Sequence, residues 1–153
     1  LERKTTDMQS IKVKYTNFFG EETEEKLHFH LSKAELMNME LQRTPLSAKI
    51  ALINGGEASP MDAYKLLQEF VGAAYGERSE DGTRFFKDER ATKAFLASPA
   101  FDALLDKLSN DPKFSNGFLA GLFPDDIMGK AKKLIEEHPD ASLEELRKIA
   151  ETN

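Results

Sequence analysis

The sequence predicts a mainly helical α+β fold, in which an N-terminal β-hairpin precedes a bundle of short helices and a C-terminal helical extension. Three observations lead to this prediction. The chain before residue 32 contains stretches that alternate apolar and polar side chains, the period typical of half-buried strands. Most of the remaining chain spaces its apolar residues by three to four positions, as amphipathic helices do. Ser, Asp and Pro residues divide that part into short segments, each with the start signal of a helix.

Two alternating stretches predict the strands of the hairpin. Residues 11–15 and residues 27–31 each carry apolar side chains at odd positions and polar side chains between them. Asn17 and Gly20, which favour turns, lie in the segment that joins the two stretches. We therefore expect an antiparallel hairpin with its turn near residues 17–22.

Capping signals predict the helices. Ser32, with Glu35 three residues later, forms a capping box, and the helix that it begins is expected to end near Gln42, before the helix-breaking Pro45. Seven or eight short helices are expected in all. Later ones should begin at or near Leu46, Ser59, Asp88, Ser98, Asn110, Ile127 and Ser142.

The segment around residues 74–87 predicts a helix end, a turn and a short extended stretch. Gly76 suits the left-handed position that follows many helices. Residues 79–83 are rich in turn formers, and residues 84–87 are expected to extend and pair with the hairpin.

Composition limits the class of protein. The chain has 153 residues, a net charge of −6 and 31% charged residues, which is typical of a soluble globular protein and argues against general affinity for nucleic acid. It contains no cysteine, so disulfides and thiolate metal sites are excluded. No apolar run approaches the roughly 20 residues of a membrane span. Production in the cytoplasm is the expectation.

Turn signals also suggest a domain organisation. Residues 1–10 are interpreted as a leader, for which disorder is one interpretation. Residues 11–127 are expected to form the hairpin and helical core domain. Residues 128–153 are expected to form a C-terminal helical extension, with docking onto a neighbouring subunit as one possible role.

Few residues suggest reaction chemistry. His28 and His30 lie two positions apart and could share a metal ion, but Lys26 has the same parity, and a solvent-facing strand surface is the favoured interpretation. The acidic pair Asp125 and Asp126 suits the start of a helix. We expect no catalytic residue, no metal site and no cofactor.

The order of the motifs resembles that of the tail assembly chaperones of long-tailed siphophages, over about residues 11–127. The motifs that carry this resemblance are IKVKY at 11–15, NFFG at 17–20, FHLSKAEL at 29–36, AYG at 74–76, SEDG at 79–82, RF at 84–85, AF at 94–95, SPAF at 98–101 and GLFP at 121–124. The resemblance fades after about Ile127.

The resemblance implies a non-enzymatic role in the cytoplasm of the infected bacterial host. Such chaperones cover the long, apolar, helical tape-measure protein, keep it soluble and recruit tail-tube protein. The implied partners are therefore tape-measure and tail-tube proteins and further copies of the chain, with no nucleic acid and no membrane. Two alternatives remain open, a structural tail or head–tail component that stays in the virion and a small protein-interaction regulator.

Apolar residues on the predicted helices are the candidate contacts. For each of them, packing in the core is the competing interpretation. The candidates for partner binding are Met37, Met39, Phe114, Phe118 and Phe123. The candidates for oligomer docking are Leu134, Leu143, Leu146 and Ile149.

Overall fold

The structure, a computed structural model, describes residues 8–55 and 59–152, and it confirms a mainly helical α+β fold. An N-terminal hairpin is followed by helices and two further short strands. The elements are β1 (Gln9–Thr16), β2 (Glu22–Phe29), α1 (Lys33–Glu40), α2 (Leu46–Asn54), α3 (Pro60–Ala74), β3 (Tyr75–Arg78), β4 (Phe85–Phe86), α4 (Glu89–Leu96), α5 (Pro99–Asn110), α6 (Pro112–Leu122), α7 (Asp125–Glu137) and α8 (Leu143–Thr152). The first seven residues of the expected leader, and Gly56 in the expected stop signal after α2, lie outside the described residues.

The four strands form an antiparallel sheet in the order β1-β2-β3-β4. The β1–β2 register runs from the pair Gln9–Phe29 to the pair Thr16–Glu22, which confirms the expected hairpin and the position of its turn. Across this pair the Tyr15 hydroxyl donates a 2.5 Å hydrogen bond to Glu25. That bond, together with burial and the Glu25 charge, raises the pKa of Tyr15 to about 12.

The expected left-handed helix cap at Gly76 is wrong. Among the described glycines only Gly20 and Gly82 have a positive φ, so Gly76 is not a left-handed helix cap. Instead α3 leads directly into β3, in which Tyr75 is buried and Gly76 pairs with His28. The residues 84–87 do contain a strand, β4, but it pairs with β3 and not with the hairpin itself.

The described chain divides into two compact units that are interleaved in sequence. Unit 1 comprises Leu31–Glu69 and residues 123–152, and unit 2 comprises residues 8–30 and Phe70–Leu122. The division falls within α3, which contributes residues to both units.

In unit 1, α2 is the central element and contacts α1, α7 and α8. Its sequence explains this central position, because most of its residues are apolar and six of its nine residues are buried. The buried apolar side chains of unit 1 include Leu36, Leu46, Ala48, Ile50, Leu52, Ala131, Leu134 and Leu146. Helices α7 and α8 therefore belong to the same packed core as α2.

A polar contact joins three helices of unit 1. Pro45, the residue before α2, makes no side-chain capping bond. The Glu40 carboxylate, at the end of α1, accepts hydrogen bonds from the backbone N–H (3.1 Å) and the hydroxyl (2.9 Å) of the fully buried Ser47. The Lys130 ammonium of α7 lies 3.6 Å from the same carboxylate. Glu40 thus supplies the acceptor that the first turn of α2 otherwise lacks.

In unit 2, an aromatic cluster fills the space between the sheet and the helices. The Tyr75 and Phe95 rings stack at 4.2 Å between centroids, and Phe29 meets both of them edge to face at 6.0 Å. Phe118 of α6 and Phe101 of α5 extend the cluster. Such pairs add about 0.5–1.5 kcal/mol each beyond the area that they bury.

Candidate binding surfaces

Helix α1 exposes an apolar pair on one face in unit 1. Met37 is 60% exposed and Leu41, the residue that ends the helix, is 79% exposed. Residues four positions apart lie above one another on a helix, so the two side chains share a face. Leu36 is the buried residue of this helix, and the capping box of Ser32 and Glu35 fixes its start. The helix thus exposes this pair to water while Leu36, on another face, packs into the core.

The beginning of α3, also in unit 1, exposes a second pair. Met61 is 67% exposed, and Tyr64, three positions later, is also largely exposed. Ser59 accepts a hydrogen bond from the backbone N–H of Asp62 and so caps this end of the helix. An unbranched methionine adapts its shape to different partners, which suits reversible binding.

The hairpin turn of unit 2 carries two adjacent phenylalanines. Phe18 is 76% exposed and Phe19 is 87% exposed. The Asn17 side-chain oxygen accepts hydrogen bonds from the backbone N–H groups of Phe19 (2.9 Å) and Glu21 (3.0 Å), and Gly20 has a φ of 82°. The turn is therefore formed by Asn17 and Gly20, and neither aromatic ring contributes to its closure.

A shallow cleft of about 420 Å³ lies between β1 and α6 in unit 2. The half-buried Phe114 and Ile11 line it. Gly117 leaves it open, because no atom beyond its chain neighbours and its own helix backbone lies within 4 Å of the position of a Cβ there. The Lys107 ammonium lies 4.4 Å from the centre of the Phe114 ring, at the distance of a cation–π interaction. The cleft can accept an apolar side chain.

The outer side of the sheet carries a concavity of about 340 Å³ lined by basic side chains, among them Lys26, Arg78 and Arg84. His28 also lines it and lies 2.9 Å from the Ser10 hydroxyl through its Nδ1. Burial, and next the charges of Lys26 and Arg78, lower the pKa of His28. The neutral form is therefore favoured at neutral pH.

His28 and His30 lie in different surroundings, His28 against Ser10 and His30 against Phe85. In the described ranges 8–55 and 59–152, no three or more His, Cys, Asp or Glu residues are grouped so that they could hold a metal ion. The His30 ring lies edge to face against Phe85, with 6.4 Å between their centres. Asp125 and Asp126 occupy the first turn of α7, as the sequence indicates.

The predicted partner contacts occupy different environments. Met37 is exposed, and Met39 and Phe114 are half-buried. Phe118 is buried in unit 2 and Phe123 is buried in unit 1. Of these five residues, Met37 is therefore accessible to a partner, and Met39 and Phe114 are partly accessible.

The predicted docking residues of the C-terminal segment are mostly covered. Leu134 and Leu146 are buried within unit 1, and Ile149 is half-buried. The side chain of Leu143 lies outside the described part of the chain.

Sequence reasoning missed several exposed apolar residues. Leu41, Met61 and Tyr64 were not singled out, although the spacing of Leu41 from Met37 is a helical one. The pair Phe18 and Phe19 had a clearer signal, because the turn formers Asn17 and Gly20 predict a turn around them, and turns lie at the protein surface.

In the part of the chain that the structure describes, no helix is both long enough and apolar enough to cross a membrane.

The comparison with protein families gives a match over residues 8–152 to a model described as phage tail assembly chaperone. No curated protein and no solved structure matches the chain significantly.

Proposed function

Because the chain belongs to the phage tail assembly chaperone family, we propose that it binds the tape-measure protein of a siphophage, keeps that protein soluble and promotes assembly of the tail tube. A phage assembly chaperone acts within the infected host cell, and families of this kind act by binding other proteins and not by catalysis. The observation that carries the proposal is the family match, which extends from β1 to the end of α8.

The exposed apolar pairs of unit 1 supply a physical means of binding. A chaperone for apolar helices must cover them reversibly, so its contact residues have to be exposed in the free protein. Met37 and Leu41 meet this requirement on α1, as do Met61 and Tyr64 on α3. Burying one such side chain against a partner contributes roughly 1.5–3 kcal/mol, so a few contacts give binding that can still be reversed.

A homo-oligomer is part of the proposal. Leu134 and Leu146 pack within their own unit, so a docking arm that uses these two residues would require that copies of the chain exchange α7 and α8. Binding of tail-tube protein is proposed as the step that follows coverage of the tape-measure protein.

Co-expression with the tape-measure protein of the same phage tests the proposal. We expect the tape-measure protein to be recovered in a soluble complex that elutes together with this chain on size exclusion. Tail-tube protein added to that complex should displace the chain as the tube forms. If the tape-measure protein stays insoluble beside folded chaperone, the proposal fails. If the chain is found in purified virions, the alternative of a structural tail component is favoured.

The substitution pair Met37→Ser and Leu41→Ser tests the surface of α1. Because both side chains are exposed, the double variant should unfold at nearly the wild-type denaturant concentration. Recovery of soluble tape-measure protein should fall about tenfold or more, since contacts of this kind each exceed 1 kcal/mol in a binding centre. Met8→Ser is the matched control, because Met8 is an exposed methionine in unit 2. Equal recovery with both variants would exclude α1 as the binding surface.

A further inference from the structure

We propose that the Phe18–Phe19 turn, meaning residues 17–21, is a docking element that inserts its two rings into an apolar groove bordered by Lys or Arg side chains on a partner protein. The choice of the tape-measure protein as that partner rests on the proposed function. The turn lies in unit 2, whereas the exposed pairs on α1 and α3 lie in unit 1, so it is an additional surface.

The turn does not need the rings of Phe18 and Phe19 in order to close. The turn closes through the backbone bond from Asn17 N–H to the Glu21 carbonyl (2.9 Å) and through the two bonds that the Asn17 side chain accepts. Gly20 provides the one positive φ that the turn requires. Polar residues at positions 18 and 19 would form the same turn, yet both positions hold Phe.

Both rings are exposed to solvent. Scattered single apolar residues are ordinary on protein surfaces, but Phe18 and Phe19 are adjacent and are the most exposed phenylalanines among the described residues. Aromatic side chains on a preformed backbone lose little conformational freedom on binding and commonly dominate the affinity of an interface. The hairpin holds both rings at one end of the β1–β2 pair, where a partner can reach them.

The charge of the turn selects the kind of partner. Glu21 and Glu22 are exposed and follow the two phenylalanines closely in sequence. Further along the hairpin the charge of Glu24 is offset, because the ammonium groups of Lys12 and Lys14 lie 3.8 and 3.9 Å from its carboxylate. The turn thus carries exposed negative charge. It favours a groove with basic edges and disfavours an anionic lipid surface, which exposed aromatic rings could otherwise enter.

Binding of overlapping tape-measure segments to the full chain tests the proposal. Titration calorimetry first establishes which segment binds the wild-type chain, and if none binds, the proposed function fails. For a segment that binds, the double variant Phe18→Ser, Phe19→Ser should weaken the affinity at least about tenfold. The control Phe86→Ser removes another exposed ring of the same unit and should leave the affinity within about twofold. An affinity of the double variant equal to that of the control would overturn the proposal while leaving the proposed function intact.

A charge-reversal variant tests the kind of partner and does not depend on the rings. Glu21→Lys, Glu22→Lys keeps both phenylalanines and should weaken binding of the same segment, with a loss that shrinks as salt is raised. Unchanged or tighter binding would overturn the assignment of a basic-edged groove.

Two further measurements distinguish other occupants of the same surface. Sedimentation with vesicles that contain phosphatidylglycerol should show no binding of the wild-type chain, and Phe18-dependent binding would overturn the proposal in favour of a membrane. The molecular mass of the free chain should be the same for the wild type and for Phe18→Ser, Phe19→Ser. A lower mass of the variant would identify a second copy of the chain as the occupant and would also overturn the proposal.

Discussion

At Gly76 the absence of a side chain allows the Phe85 ring to lie directly against the backbone of β3. A Cβ at this position would lie 2.3 Å from the ring atom Cζ of Phe85, much closer than two carbon atoms approach. The glycine is therefore required by a close approach of a neighbouring strand and not by an unusual φ.

The substitution Gly76→Ala is expected to destabilise unit 2 by about 1–3 kcal/mol, because the Phe85 ring must move away. Urea denaturation measures the loss. In the background of Phe85→Ala the same substitution should cost clearly less, since the clash is gone. Gly117→Ala in α6 is the matched control. Its Cβ would meet nothing within 4 Å, so it should stabilise the protein by about 0.5–1 kcal/mol. A similar effect of both alanines would contradict the close approach.

At the scale of the element, α2 depends on a residue of a different helix. Pro45 cannot cap it, and the acceptor for its first turn comes from Glu40 of α1. The contact is unusual because one carboxylate also satisfies the hydroxyl of a serine that is fully buried. A helix start that relies on tertiary structure in this way forms only together with its neighbours.

We expect Glu40→Ala to lower the free energy of unfolding by about 1–3 kcal/mol, because the buried Ser47 hydroxyl loses its acceptor. Glu40→Gln keeps an acceptor oxygen and loses only the partly exposed ion pair with Lys130, which is worth less than about 1 kcal/mol. Chemical denaturation of both variants separates the two contributions. Equal losses would show that the charge, and not the hydrogen bonds to Ser47, stabilises this end of α2.

The sequence was sufficient to predict the elements whose signals are local. The capping residues Ser32, Asp88, Ser98 and Ser142 are predicted helix starts, and each begins a helix in the structure. The period-two pattern similarly identifies the hairpin, since a shift by one residue would turn its apolar side chains to water.

The sequence was insufficient to predict features that depend on long-range packing. Strand β3 was missed because Tyr75 continues the apolar pattern of α3, while its buried position depends on stacking against Phe95, twenty residues later in the chain. The exposure of apolar side chains could not be predicted for the same reason. Met37 and Phe118 are both apolar residues on helices, and only long-range contacts make the first exposed and the second buried.

At the scale of the whole molecule, each unit is assembled from two separate parts of the chain. Helices α7 and α8, which the sequence suggested as an extension, contact α2 in unit 1. Their buried residues Ala131, Leu134 and Leu146 belong to the core that α2 forms.

A chain that ends at residue 124 is therefore expected to lose the stability of unit 1. Removal of two buried leucines and Ala131 costs more than about 3 kcal/mol, and the exposed side of α2 should promote aggregation. Circular dichroism during thermal unfolding and size exclusion check this outcome. The single substitution Leu134→Ala should cost about 2–5 kcal/mol by the same reasoning. A truncated chain that keeps its stability and loses only its self-association would instead support a docking arm.

The interleaving of the units has a consequence for synthesis on the ribosome. The last residue that unit 2 requires is Leu122, whereas unit 1 also requires the segment that follows it. Unit 2 can therefore complete its fold first. At that point α7 and α8 do not yet cover α2, whose apolar side chains, including Leu46 and Ile50, are buried in the finished protein. We therefore expect a stage during synthesis in which α2 is still uncovered, and we expect that stage to end when α7 and α8 have emerged from the ribosome.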